Sequence, residues 1–132
     1  MEGEEIKKEK KAWREVKNSQ RFLNAFRGIY VVAKTTKHLL VHTTAALLVI
    51  FFGFYFKISS IEWIVLVFAI GFVFVAEAFN TAIEIDINLT SPEHHPYARD
   101  TKDVAAAAVL LSVFTAAIVG LIIFGPLFIA EI

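Results

Sequence analysis

The sequence has no cysteine, which excludes structural disulfides and thiolate metal sites and leaves the redox compartment unread. Proline is scarce: there are three in 132 residues, and two of them, Pro92 and Pro96, fall in one short segment. No Walker-type glycine-rich loop is present, so any nucleotide site is built differently from a P-loop. There is no repeat longer than a few residues and no low-complexity run. Basic charge almost vanishes after Lys37, with ten of the thirteen Lys and Arg at or before it and only Lys57, Arg99 and Lys102 beyond. The zero net charge is therefore an average over two unlike regions. The charged N-terminus has no early apolar stretch, which argues against a cleaved signal peptide.

What the chain has in quantity is apolar residues, 57% of the total. They gather into three segments: Leu39 to Phe56, Ile61 to about Ile85, and Val104 to about Ala130. At about 1.5 Å of rise per residue, ~18 or more helical residues cover most of a ~30 Å hydrocarbon core. One soluble domain of this length could not hide three helices that are apolar on nearly every face. The reading is an all-α integral membrane protein with three transmembrane helices, at about 37–57, 61–87 and 101–128. The excess of Lys and Arg before the first span and in the Asp86–Asp103 loop places both in the cytoplasm, and the C-terminus outside.

Residues 1–18, "MEGEEIKKEKKAWREVKN", read as a charged, solvated and partly disordered tail, with the membrane domain following over 19–132. In about 19–35, Phe22, Leu23, Phe26, Ile29, Tyr30 and Ala33 recur at helical spacing, with Arg21, Arg27 and Lys34 off that stripe. This predicts an amphipathic surface helix. Ser59 with Glu62 predicts a capping box for the second span. Two helix starts are expected in the inner loop, at Ser91–Pro92 and at Asp100 with Asp103.

The informative stretch is "VFVAEAFNTAIEID" (Val73–Asp86), which continues the second apolar run yet carries Glu77, Asn80 and Glu84. Seven helical residues turn about 700°, so both carboxylates and the amide share one face, with Thr81 beside them. Glu77 lies about 10 Å deeper than Glu84 along the helix. An ionisable residue at that depth points to function, and a facing donor or cation would keep it charged. Such a carboxylate can act as a general base, while Glu84, nearer water, can hold a divalent cation through oxygen. Interhelical hydrogen bonding without chemistry is the plain alternative. The inner loop favours chemistry, because Glu93, His94, His95, Arg99, Lys102 and Asp103 crowd the same edge and form a mixed-sign cluster suited to a phosphorylated ligand and a metal.

At these residues the chain resembles the small prokaryotic membrane kinases of lipids, diacylglycerol kinase and the related undecaprenol kinase. The resemblance is carried by "EAFNTAIE" (Glu77–Glu84) followed by "SPEHHPYARDTKDVAAAAVLL" (Ser91–Leu111), and extends back through "AFRG" (Ala25–Gly28). It implies a homotrimer of three-span subunits with an N-terminal surface helix, in the prokaryotic inner (plasma) membrane. It also implies transfer of the γ-phosphoryl of ATP to a lipid hydroxyl with magnesium, most closely that of undecaprenol. Under the resemblance Glu77 is the general base and Asn80 supports it. Glu84 ligates the metal, and Glu93, His94, His95, Lys102 and Asp103 join it in lining the nucleotide site. The implied partners are the lipid and ATP, not nucleic acid.

The chain departs from the family pattern in the first span. The family's E-x-N-x-x-x-H is here "TKHLLVH", so Thr36 stands where the second metal-binding Glu is usual, His38 replaces Asn, and His42 is kept. Leu40, Asn88 and Ala107 replace a common Arg, Asp and Gly. His38 and Asp86 are the nearby groups that could substitute in part for the missing ligand, although magnesium prefers oxygen. Three functions follow: an undecaprenol kinase, a diacylglycerol kinase giving phosphatidic acid, or a weakened or non-catalytic lipid-binding homologue because of Thr36.

Overall fold

The structure, a computed structural model, describes residues 3–8 and 18–132. Among these residues every regular element is helical: α1 (Asn18–Thr35), α2 (Leu39–Tyr55), α3 (Ser60–Thr90) and α4 (Pro96–Ala130), with a short helical stretch at 3–8. The expected charged tail lies for the most part outside the described residues. Its part at 3–8 is helical, and Glu4 and Lys8 stand there at the i, i+4 spacing that supports an isolated helical turn.

The chain divides into two units, residues 1–34 and 35–132. The first holds almost all of α1, which has the expected stripe: Phe22, Leu23, Phe26, Ile29 and Tyr30 are exposed apolar residues along it. Gln20 donates to Asn24 one turn on, at 3.2 Å, on the polar side.

In the second unit, α2 ends in a Schellman motif. The Ile58 N–H donates to the Gly53 carbonyl at 3.1 Å and the Lys57 N–H to that of Phe54 at 3.2 Å, with Lys57 at φ 53°. Gly53 is required by contact rather than by φ. A Cβ there would lie 2.6 Å from Cη2 of Trp63, so the indole of α3 rests directly on the α2 backbone. The predicted capping box starts α3: Ser59 Oγ accepts from the Glu62 N–H at 3.3 Å, and the Glu62 carboxylate accepts from the Ser59 N–H at 2.7 Å.

That end of the unit is its apolar core. Ile58, Leu66, Ile123 and Phe124 are buried there, with Val49, Phe52, Phe56 and Trp63 packed around them. Phe52 and Phe56 each meet Phe128 edge-on, at centroid distances of 5.1 and 4.9 Å. From this end α3 packs along α4 with a buried stripe at Leu66, Ala69, Val73, Glu77 and Thr81. The spacing of three and four residues keeps one face turned inward. That face is apolar as far as Val73, and then the same periodicity carries Glu77 and Thr81 inside. On α4, Ser112 is completely buried and satisfies its hydroxyl on the Val109 carbonyl at 2.7 Å.

Most large apolar side chains face outward, including Phe68 (76% exposed) on α3 and Leu121 (72%) on α4. Such surface is untenable in water and natural in lipid. α3 and α4 are each long and apolar enough to cross a membrane. At 31 and 35 residues they run about 46 and 52 Å, longer than a hydrocarbon core. α2 has 17 residues, about 26 Å, and is the short one. The protein is a membrane protein with two such long helices and a third, shorter apolar one.

The inner loop corrects both expected helix starts. Ser91 is not the start of a helix but the C-cap of α3, its N–H on the Ile87 carbonyl at 2.9 Å. The residue before a proline avoids the α region, so Pro92 ends α3. The second proline starts α4: His95 is extended (φ −125°, ψ 135°) and Pro96 occupies the first turn. Asp100 and Asp103 therefore lie inside α4 rather than at its beginning.

Candidate active site on the inner face of α3

The polar site is built where α2 begins and the buried stripe of α3 turns hydrophilic. Glu77 is 3% exposed. Its Oε1 lies 2.7 Å from Nε2 of His42, the fourth residue of α2. A carboxylate oxygen only accepts, so Nε2 carries the hydrogen and donates. One turn further along α3, the Thr81 hydroxyl meets that of Thr36 at 2.8 Å. Two hydrogen bonds thus fasten the start of α2 to α3, a charge-assisted one deep in the unit and a neutral one nearer the end of the buried stripe.

Asn80 and Glu84 flank this face. The Asn80 amide donates to Glu84 Oε1 at 3.2 Å. One turn of helix brings the Asn80 amide to Glu84, and the hydrogen-bond donor to Glu77 comes from α2. Asn80 Oδ1 is buried with no hydrogen-bond partner, so an oxygen with unused acceptor capacity sits beside the Glu84 carboxylate. Glu84 itself is exposed. Oxygen donors of this kind suit magnesium, which keeps much of its water and takes one or two carboxylates together with substrate phosphates. Among the described residues no group of three or more His, Asp or Glu forms a self-contained metal cage. Thr36 is committed to Thr81, and Asp86 is exposed on α3. The fit is to a cation shared with phosphates.

The inner-loop residues are less gathered. Lys102, in the second turn of α4, donates to Asn88 Oδ1 and ties the start of α4 to the end of α3. Asn88 entered the sequence reading only as a neutral replacement, and the structure makes it the lysine's partner. His95 uses Nδ1 to accept from the Tyr97 N–H at 3.2 Å, which caps α4 and leaves Nε2 as its outward nitrogen. Glu93 and His94 are exposed in the loop, and Asp103 is exposed on α4. Among the described residues no hydrogen bond or ion pair joins these three to the Glu77–Glu84 face. Arg99 pairs with Asp100 at 3.7 Å on the surface. His42 entered the sequence reading only as the kept histidine of the first-span motif, with no role given to it. Its signal was a histidine inside an apolar run, in a chain with a deep carboxylate that needed a donor.

Residues 23–124 match the family described as Prokaryotic diacylglycerol kinase. The chain is 41% identical over 105 residues to a protein named undecaprenol kinase from Bacillus subtilis, a match that covers 80% of this chain and 85% of the relative. It is 33% identical over 113 residues to a protein named diacylglycerol kinase from Synechocystis, covering 84% of this chain and 65% of that longer relative. No solved structure matches. Both relatives are named as kinases, so the comparisons lend no support to the weakened or non-catalytic alternative.

Proposed function

The chain belongs to the prokaryotic diacylglycerol kinase family and is a lipid kinase, and from that premise we propose that it phosphorylates a polyprenol, undecaprenol, with ATP as donor. The choice of acceptor is supported by the greater identity and coverage shared with the undecaprenol kinase. The observation that carries the catalytic reading is the buried Glu77 carboxylate, held by His42 about two helical turns inside the exposed Glu84.

In this reading α2, α3 and α4 each span the membrane, and the end bearing Glu84 and the 91–95 loop faces the cytoplasm, where ATP is found. The subunit assembles as a homotrimer, as the family resemblance implies, and the outward apolar faces are covered by lipid or by neighbouring copies. A lipid hydroxyl at the membrane interface approaches Glu77, whose free carboxylate oxygen takes its proton. The lipid oxygen then bonds to the γ-phosphorus as the bond to the β–γ bridging oxygen breaks, and ADP leaves. Phosphoryl transfer needs little from a protein beyond positioning and charge neutralisation. Asn80 Oδ1 and Glu84 would hold magnesium, which when bound with ATP neutralises charge on the phosphates. Lys102 supplies a cation for the same phosphates, and Glu93, His94, the outward nitrogen of His95 and Asp103 face the nucleotide.

The test is transfer from labelled ATP to undecaprenol and to diacylglycerol, by purified protein in mixed micelles, with and without magnesium. Magnesium-dependent undecaprenyl phosphate is expected. Product from diacylglycerol alone would reassign the acceptor, and product from neither lipid with a folded protein would overturn the reading.

A further inference from the structure

We propose that His42 is a positioning residue for the transfer reaction: its Nε2–H holds Oε1 of Glu77, so that Oε2 alone is presented to the lipid hydroxyl. The inference rests on the general-base reading of Glu77. The geometry is direct. The His42 and Glu77 side chains are 15% and 4% exposed, and Nε2 lies 2.7 Å from Oε1. The backbone that carries the ring is held as well. The His42 backbone N–H donates to the His38 carbonyl at 3.1 Å as α2 begins, and the Thr36–Thr81 hydroxyl bond anchors the segment just before it. Asn80 lies near enough in sequence to serve Glu77, but its amide is turned to Glu84. His42 is thus the donor on which the buried carboxylate depends.

The histidine bond distinguishes the two oxygens of the Glu77 carboxylate, with Oε1 taken by Nε2 and Oε2 left for the lipid hydroxyl. During transfer the hydrogen on Nε2 stays there. The lipid O–H bond breaks with its proton passing to Oε2, the oxygen's electron pair forms the bond to the γ-phosphorus, and the pair of the broken phosphoanhydride bond leaves with ADP. His42 touches none of the reacting atoms and acts only through Glu77.

A purely structural contact between α2 and α3 would predict something different, and variants separate the two. His42→Gln places an amide N–H where Nε2 now stands. His42→Leu fills the space without a donor. In micelles with undecaprenol and magnesium-ATP, His42→Leu is expected to lower kcat by about 10–100-fold, the scale of a mispositioned reacting group. KM for ATP should stay within about twofold, and His42→Gln should recover most of the loss, since the amide keeps the donor that the positioning requires. Should His42→Leu not fold, His42→Asn, whose amide stops short of Oε1, takes its place. Wild-type kcat in the folded donorless variant, or a His42→Gln as slow as His42→Leu, would overturn the proposal. Glu77→Gln is assayed alongside. If it is active, the general-base reading fails and takes this inference with it. If it is inactive while His42→Leu is fully active, only the role of His42 falls.

Discussion

Thr36 and Thr81 meet hydroxyl to hydroxyl at 2.8 Å across 45 positions of sequence, fastening the residues just before α2 to the buried face of α3. The pair is neutral at a position where the family pattern implies a carboxylate. Thr36→Glu breaks it and brings a second carboxylate within about one helical turn of Glu84, since Thr81 and Glu84 are three residues apart on α3. The expected outcome is a lower magnesium requirement or a higher rate, read from initial rates over a magnesium titration. An unchanged midpoint and rate would show that the neutral pair costs the enzyme nothing.

Glu77→Gln keeps the shape of the side chain and leaves His42 a carbonyl oxygen to bond, so the fold should persist. Transfer should fall by about 10²–10⁴-fold, the usual contribution of a general base. Rate and size-exclusion profile on one preparation check both halves, and full activity in the variant would remove Glu77 from the chemistry.

Lys102 and Asn88 are hydrogen-bonded between the start of α4 and the end of α3. If the lysine's cation also serves the phosphates, Lys102→Met should raise KM for ATP several-fold. Asn88→Ala keeps the cation and removes only its tether, a contribution of about 1 kcal/mol, and should raise KM less. Steady-state kinetics on the two variants decides the order, and equal effects would make the lysine a tether only.

At the far end of the unit, Gly53→Ala drives a methyl group into Trp63, 2.6 Å from Cη2. An overpacked contact of this kind costs about 1–3 kcal/mol. Lys57→Gly should act in the opposite direction, by about 1 kcal/mol, because Lys57 sits at φ 53° where a side chain is disfavoured. Unfolding curves in mixed micelles should shift in opposite directions while transfer activity is retained in both.

The capping box at Ser59–Glu62 and the shared face of Glu77, Asn80 and Glu84 were legible because each depends only on spacing along one helix. The start of α4 was not legible. Two X-Pro pairs lie four residues apart, and local rules allow either to begin the helix. The structure has Ser91 closing α3 and His95 capping α4.

The sequence by itself determined the helical, membrane-bound character of the chain and its family. Hydropathy and the order of residues within a motif are properties of the chain alone. It also determined that Glu77 must be turned inward with the apolar stripe, since the helical period leaves it no other face. Only the tertiary structure decided what Glu77 meets there. His42 comes from another helix, 35 residues away, and Asn80 turns to Glu84 while Thr36 closes on Thr81. A side chain's partner across two helices depends on how the helices lie against each other, and no periodicity within either one encodes that.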